Sequence, residues 1–474
     1  RYLRNQPILA RPASTSYRAR KYVRRHRLGV TLAAVAALLL TSVAVTEAVQ
    51  LRRVRRERDR ADRVTEFMTG MFQVADPSEA RGNDVRAREI LDRASHQIDA
   101  GLQKDPELQG QMMQVMGTVY SSLGLYGKSE SLLRHALEIQ QRTLGNTNPD
   151  TLKTAFALAA ALYQSDHYAE AETLSRQTME ARRKALGAEN RDTLASMLQL
   201  AVILYFEERF PESEKLTRQV LSSSENKFGR QDKLTVSALH QLGTVLTSEG
   251  KYQEAEAATR AALNIRTALN GADDPLTLAD MNLLGSILIR QHRSADAQKL
   301  YLQLVEAQTR VLGPDHPRTL KSMTNLADVL LDVEDYAEAE KLYRQIIQSQ
   351  ARTLGPDHYD TLVTTVDLSD MLARQKRYAE AEVTVRQALE ASRKKFGPGF
   401  GLTTTAAYNL ACIQAKQGEH DQAFANLRFA VENGLPVHVL EGLEQDSDLD
   451  GLHGDPRFIE LADTSRQRIA AARK

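Results

Sequence analysis

The chain has 474 residues, 42% of them apolar and 26% charged, which are ordinary globular values and exclude a low-complexity polypeptide. Its one cysteine, Cys412, excludes an intramolecular disulfide and a cysteine-built zinc site. Net charge is +1, yet residues 1–64 carry 16 Lys+Arg against 4 Asp+Glu while the rest carries 46 against 57, so a basic head precedes an acidic body.

Residues 1–27 form a basic segment. Residues 28–46 read LGVTLAAVAALLLTSVAVT, 19 residues without a charge. As a helix they would rise about 28 Å, close to the hydrocarbon thickness of a bilayer. Arg24, Arg25 and Arg27 precede them, and Arg52, Arg53, Arg55 and Arg56 follow. Arginines on both flanks suit lipid headgroups and do not suit a buried core helix. The segment is therefore expected to be a transmembrane helix, and the basic head points to a membrane and not to nucleic acid. A signal peptide cleaved near Ser42-Val43-Ala44 is disfavoured by the 27-residue basic lead. The start at Arg1 points to a piece of a longer polypeptide. Orientation is weakly set: the 15 residues on each side of the span hold 6 Lys+Arg apiece, and the whole head holds 9 against 7, barely preferring a cytoplasmic N-side.

Residues 47–75 read as a charged stalk helix, polar nearly all round. A loop with Pro and Gly follows, and then Ala87, Leu91 and Ala94 stand 42 residues before Ser129, Leu133 and Ala136. Residues 76–106 are read from this as a degenerate capping pair.

From 107 to 432 the chain repeats with a period of 42, which predicts eight stacked helical pairs. Thr151, Thr193, Thr235, Thr277, Thr319, Thr361 and Thr403 mark one column; Tyr126, Tyr168, Phe210, Tyr252, Ser294, Tyr336, Tyr378 and His420 mark another. In one unit, Leu320, Met323, Leu326, Ala327, Leu330 and Leu331 follow the rhythm of an amphipathic first helix. A second helix is predicted from Tyr336 to about Leu354, with Gly355-Pro356 as its stop. Small residues recur in the first helix (Gly117, Ala159, Ala201, Gly243, Gly285, Ala327, Ser369, Ala411) and in the second (Ser129, Ala171, Ser213, Ala255, Ala297, Ala339, Ala381, Ala423). Two small columns let paired helices approach closely. Residues 433–474 leave the period and are expected to cover the last pair's apolar face.

The columns Leu-small, Tyr-x-Glu-Ala-Glu and Leu-Gly resemble the tetratricopeptide repeat, in the 42-residue form of kinesin light chains and of many bacterial multidomain proteins. The resemblance implies an all-α solenoid of helix pairs, here preceded by one transmembrane helix, whose concave face holds a protein or an extended peptide. It further implies that an Asn just before the Leu-small pair faces the groove and hydrogen-bonds a peptide backbone. That column reads Val115, Ala157, Gln199, Gln241, Leu283, Asn325, Asp367 and Asn409. The carry-over applies to Asn325 and Asn409 and, weakly, to Gln199 and Gln241. Lys321, Arg290 and Arg374 are expected to share this face and meet acidic groups.

No HExxH, phosphate loop or nucleophile elbow is present, and no cofactor is expected. Gly397-Pro398-Gly399-Phe400-Gly401 imitates a glycine loop but follows a predicted helix instead of a strand. Asp315-His316-Pro317 and Asp357-His358 read as capping turns, and Cys412 as a packing residue.

The whole order, from basic segment through span, stalk and DPSEARGNDVRAREILDRA (76–94) to the repeats, is similar to the part following the catalytic domain in bacterial membrane-bound serine/threonine protein kinases. That similarity implies a single-pass inner-membrane protein with the repeats on the non-cytoplasmic side. The kinase motifs themselves (Gly-rich loop, HRD, DFG) are absent from these residues. A stand-alone membrane-anchored scaffold without kinase activity is the alternative, and a soluble cargo adaptor is a third reading.

Overall fold

The computed structural model describes residues 105–472 continuously, residues 38–51, and isolated positions before 105. The stalk reading at 47–75 and the capping reading at 76–106 lie largely outside the described residues, as does the start of the apolar segment at 28–46. Among the described residues no helix is long and apolar enough to cross a membrane. There are also no strands among them.

Helices alternate in two lengths. First helices are α1 (Pro106–Ser122), α3 (Pro149–Gln164), α5 (Arg191–Phe206), α7 (Lys233–Ser248), α9 (Pro275–Arg290), α11 (Pro317–Asp332), α13 (Tyr359–Arg374) and α15 (Gly401–Gln417). Second helices are α2 (Tyr126–Leu144), α4 (Tyr168–Leu186), α6 (Phe210–Phe228), α8 (Tyr252–Asn270), α10 (Ser294–Leu312), α12 (Tyr336–Thr353), α14 (Tyr378–Phe396) and α16 (His420–Asn433). The chain divides into two compact units, residues 1–171 and 172–474, with the division falling within the α4 segment.

The repeated residues explain the repeated turns. Each long second helix from α6 to α14, except α12, ends on a glycine C-cap in the left-handed region (Gly229, Gly271, Gly313, Gly397). The threonine column then ties that loop: Thr193, Thr235, Thr319 and Thr361 donate to the carbonyls of Gly187, Gly229, Gly313 and Gly355 at 2.9–3.0 Å. Asn190, Asp232, Asp274, His316 and His358 cap the next first helix by accepting from its backbone N–H. The two loop histidines are thus capping residues. The turn between first and second helices needs another left-handed residue, taken up by Asp166, Glu208, His292, Glu334 and Lys376 at φ 58–62° and by Gly124, Gly250 and Gly418.

Small residues sit where partner helices come closest. A Cβ on Gly243 would lie 2.2 Å from Thr259 Oγ1, and one on Gly285 would lie 2.7 Å from the ring of Tyr301. Ala255, Ala297, Ala339, Ala381 and Ala423 are fully buried. At four places the last Glu of the Tyr-x-Glu-Ala-Glu column clips one pair to the next: Arg209–Glu172 and Lys251–Glu214 at 2.8 Å, Arg293–Glu256 at 3.0 Å, Arg377–Glu340 at 2.5 Å.

In the first unit α1 and α2 pack over Met112, Met113, Met116, Tyr120 and Ile139, with Ile98 buried among them. In the second unit one core runs from Leu278 to Ile413. Beyond α16 the chain forms α17 (Val437–Gly442), two 3₁₀ turns (Leu443–Gln445, Ser447–Leu452) and α18 (Pro456–Ala472). Leu440, Leu443, Leu449, Leu452, Phe458 and Leu461 pack onto Ala407, Tyr408, Ala411, Phe424 and Ala430.

Candidate functional site

Within the second unit, successive first helices touch: α5 with α7, α7 with α9, α13 with α15. The column singled out in the sequence lies along these first helices. Its members differ in exposure. Gln199 and Gln241 are 8% and 7% exposed and lie below the groove surface; Gln241 Nε2 has no hydrogen-bond partner. Asn325 is half-buried and already engaged: its Nδ2 donates to Asn282 Oδ1 at 3.2 Å and to the Tyr301 hydroxyl at 3.3 Å. It joins α9, α10 and α11. Asn409 is half-buried and makes no side-chain hydrogen bond among the described residues.

Asn409 opens into a cavity of about 220 Å³ between α13, α15 and the 3₁₀ turns. Arg374, predicted for the same face, lines this cavity too, with Asp370, Cys412, Lys416 and Asp446. Arg374 pairs with Asp370 at 2.9 Å and Lys416 with Asp448 at 3.2 Å. Asp446 accepts from the Tyr408 hydroxyl and, at 4.0 Å, from the Cys412 thiol. Burial, then the charges of Asp446 and Asp448, push that thiol well above its usual pKa, which favours its protonated form. Lys321 is exposed and lines a second cavity, between α9 and α11. Arg290 is exposed at the end of α9 and makes no ion pair among the described residues.

The column reading missed the carboxylates. Asp328 and Asp370 stand 42 apart, three residues beyond Asn325 and Asp367, in a column that reads Thr118, Ala160, Val202, Thr244 and Ser286 earlier. That change of residue type was the available signal. Asp367 is pushed up to about 7 by burial first and then by the charges of Asp328 and Asp370. Asp328, although exposed at its edge, is raised first by partial desolvation between the helices, against the pull of the Tyr343 hydroxyl, which donates to it at 2.6 Å. Asp332 at the end of α11 adds to the same face. Asp446 comes from outside the repeat and carried no periodic signal.

Among the described residues no three His, Cys, Asp or Glu side chains are grouped to hold a metal. Gly397 ends α14 and Phe400 caps α15, so the glycine-rich run is the ordinary loop between pairs.

The profile of the tetratricopeptide repeat matches residues 109–184, 192–268, 234–307, 277–350, 324–394 and 366–433. No curated protein sequence matches the chain. Among solved structures, apo RapI is similar with a TM-score of 0.55 at 12% identity, covering 76% of this chain and 98% of that one. The apo quorum sensor NprR from B. thuringiensis is similar at 0.52 and 13%, covering 79% and 99%. Repeats of a Podosopora anserina putative kinesin light chain share 25% identity over 43% of this chain and 97% of theirs, with a TM-score of 0.40.

Proposed function

We propose, from the premise that the chain belongs to the tetratricopeptide repeat family, that it is a scaffold holding an extended peptide or protein segment along its first helices. The observation that carries this reading is Asn409, a first-helix carboxamide with no side-chain hydrogen bond among the described residues, opening into a cavity beside Arg374. A carboxamide both donates and accepts, which is what a peptide backbone requires. Asn325 takes a supporting role, since its amide is spent on Asn282 and Tyr301.

The fuller reading is a single-pass bacterial inner-membrane protein anchored through 28–46, with the repeats outside. It would serve as the sensor or scaffold part of a serine/threonine protein kinase whose catalytic domain lies upstream of Arg1. Support comes from the uncharged run between arginines and from the order of segments. Coding sequence upstream of Arg1 without a kinase domain would leave the stand-alone scaffold.

Peptides selected on the full chain from a random display library provide the test of binding. Asn409→Ala should keep its helix content and weaken the selected peptides by roughly 1–3 kcal/mol. Unchanged binding by that variant would remove Asn409 from the site. Carbonate washing tests the anchor: release of the chain from membranes into the supernatant refutes it.

A further inference from the structure

The loops that lead into α13 and α15 depart from the repeat in three ways. Each first helix from α3 to α13 is capped by an Asn, Asp or His side chain, whereas α15 has Phe400 in that place and no capping bond. First helices otherwise open on Pro, Arg, Lys or Gly, whereas α13 opens on Tyr359. The last turn of α14 carries Arg393, Lys394 and Lys395, whereas the other second helices carry at most two basic residues there.

These departures meet in space. Phe396 and Phe400 stack with ring centroids 4.7 Å apart, and Tyr359 stands edge-on to them at 6.4 and 6.0 Å. Tyr359 and Phe400 are still 46% and 38% exposed, and Leu354, in the loop that leads to Tyr359, is exposed as well. Lys395 lies over the Phe396 ring at 5.6 Å, and Arg393 over Phe429 at 5.1 Å. Arg393, Lys394 and Lys395 are exposed and make no ion pair among the described residues. Residues 391–418 contain no Asp or Glu. The acids nearest in sequence to the patch are Asp357, Asp360 and Glu390, and Asp360 lies 3.6 Å from His358. A helix cap given up for a solvent-exposed aromatic breaks a local rule without an internal gain, and such breaks mark functional positions.

We propose that this patch docks on an anionic membrane surface. Leu354, Tyr359 and Phe400 enter the headgroup layer, and Arg393, Lys394 and Lys395 meet the lipid phosphates. Aromatic rings favour that layer because it is apolar on one side and wet on the other. Phe396 and Phe400 spend a face on one another, which leaves no slot between them for a nucleic-acid base. The uncharged run at 28–46, set between arginines, puts a membrane within reach of the same polypeptide. The inference takes only that supply of membrane from the anchor reading above; the docking surface is separate from the anchor.

The chain has no Trp, so Phe400→Trp gives the full 474-residue protein a single reporter at the patch. Phe206→Trp, at the exposed last residue of α5, is the control, and Tyr359→Trp is a second reporter if Phe400→Trp disturbs its loop. Every chain also carries Leu39→Arg, which takes insertion of 28–46 out of the readout, so this test and carbonate washing of the anchor fail independently. The probes are vesicles of phosphatidylcholine, alone or mixed with phosphatidylglycerol, with bromine on the acyl chains. With the mixed vesicles F400W emission should shift to the blue and be quenched, and the effect should weaken as salt rises. F206W should show neither change. R393A/K394A/K395A in the F400W chain should weaken binding about a hundredfold, with circular dichroism unchanged. No response of F400W and Y359W, an equal response of F400W and F206W, or an equal response to both kinds of vesicle overturns the proposal. So does a response to a mixed-sequence oligonucleotide or to polyglutamate without one to vesicles, which would make the patch a site for a polyanion.

Discussion

Gly285 on α9 faces Tyr301 on α10, and the contact leaves no room for a methyl group. An added Cβ would lie 2.7 Å from Cε2 and Cζ of the ring and 3.1 Å from its hydroxyl. The ring is fully buried, and its hydroxyl donates to the Asn282 carbonyl and accepts from Asn325, each at 3.3 Å, so it cannot swing aside. Overpacking of this kind costs about 1–3 kcal/mol. Alanine returns about 0.8–1 kcal/mol of helix propensity over glycine. Gly285→Ala should therefore destabilise by about 1 kcal/mol, the difference between those two effects. In a Tyr301→Leu background the methyl group has space, and the same change should stabilise by about 0.8–1 kcal/mol. Urea unfolding of the four proteins, followed by circular dichroism, measures the cycle. A change of equal sign and size in both backgrounds would refute the close-approach account of the small-residue column.

Glu334 and Lys376 hold left-handed conformations at φ 60° that a glycine adopts freely. Replacing either by Gly should raise stability by roughly 0.5–1 kcal/mol in the same unfolding assay, whereas Gly250→Ala should lower it. Asp367 has its pKa raised from 3.8 to about 7, so the folded state holds a proton that the unfolded chain releases in that window. Its contribution is present at low pH and lost as pH rises to 7 and beyond; Asp367→Asn should raise the melting midpoint at pH 8 and leave it nearly unchanged at pH 4. Deleting residues 319–360, one full 42-residue unit, keeps every interface type and should leave a folded chain, while a 20-residue deletion should not; equal unfolding by both would refute nearest-neighbour stacking. Leu39→Arg, in the middle of the apolar run, should impair membrane insertion at a cost of roughly 2.5–3.5 kcal/mol, read by the carbonate-soluble fraction.

The pairs were legible because each is held by local rules that repeat in sequence. Thr319 on the Gly313 carbonyl, His316 as a cap and Gly313 at the end of α10 all act within six residues of one another. Each therefore writes itself into the chain at a fixed interval of 42. The same periodicity located Asn409 and Arg374, and the structure brings them to one cavity. It did not reveal that Asn325 is tied to Asn282 and Tyr301, or that Gln199 and Gln241 are buried, because one column takes different depths as its neighbours change size.

Sequence alone determined the period, the helix boundaries and the positions of close approach, since these depend on backbone conformation and on nearby residues. Only the tertiary structure decided where charge and polar groups are left over. Arg318 and Lys321 look like any other surface cations until their neighbours prove to be paired while they make no ion pair among the described residues. Asp446 reaches Tyr408 and Cys412 from 38 and 34 residues away, beyond the last repeat. Electrostatics and hydrogen bonding act through space, so a side chain's leftover bonding capacity is set by which distant segments pack against it, and no period in the chain records that.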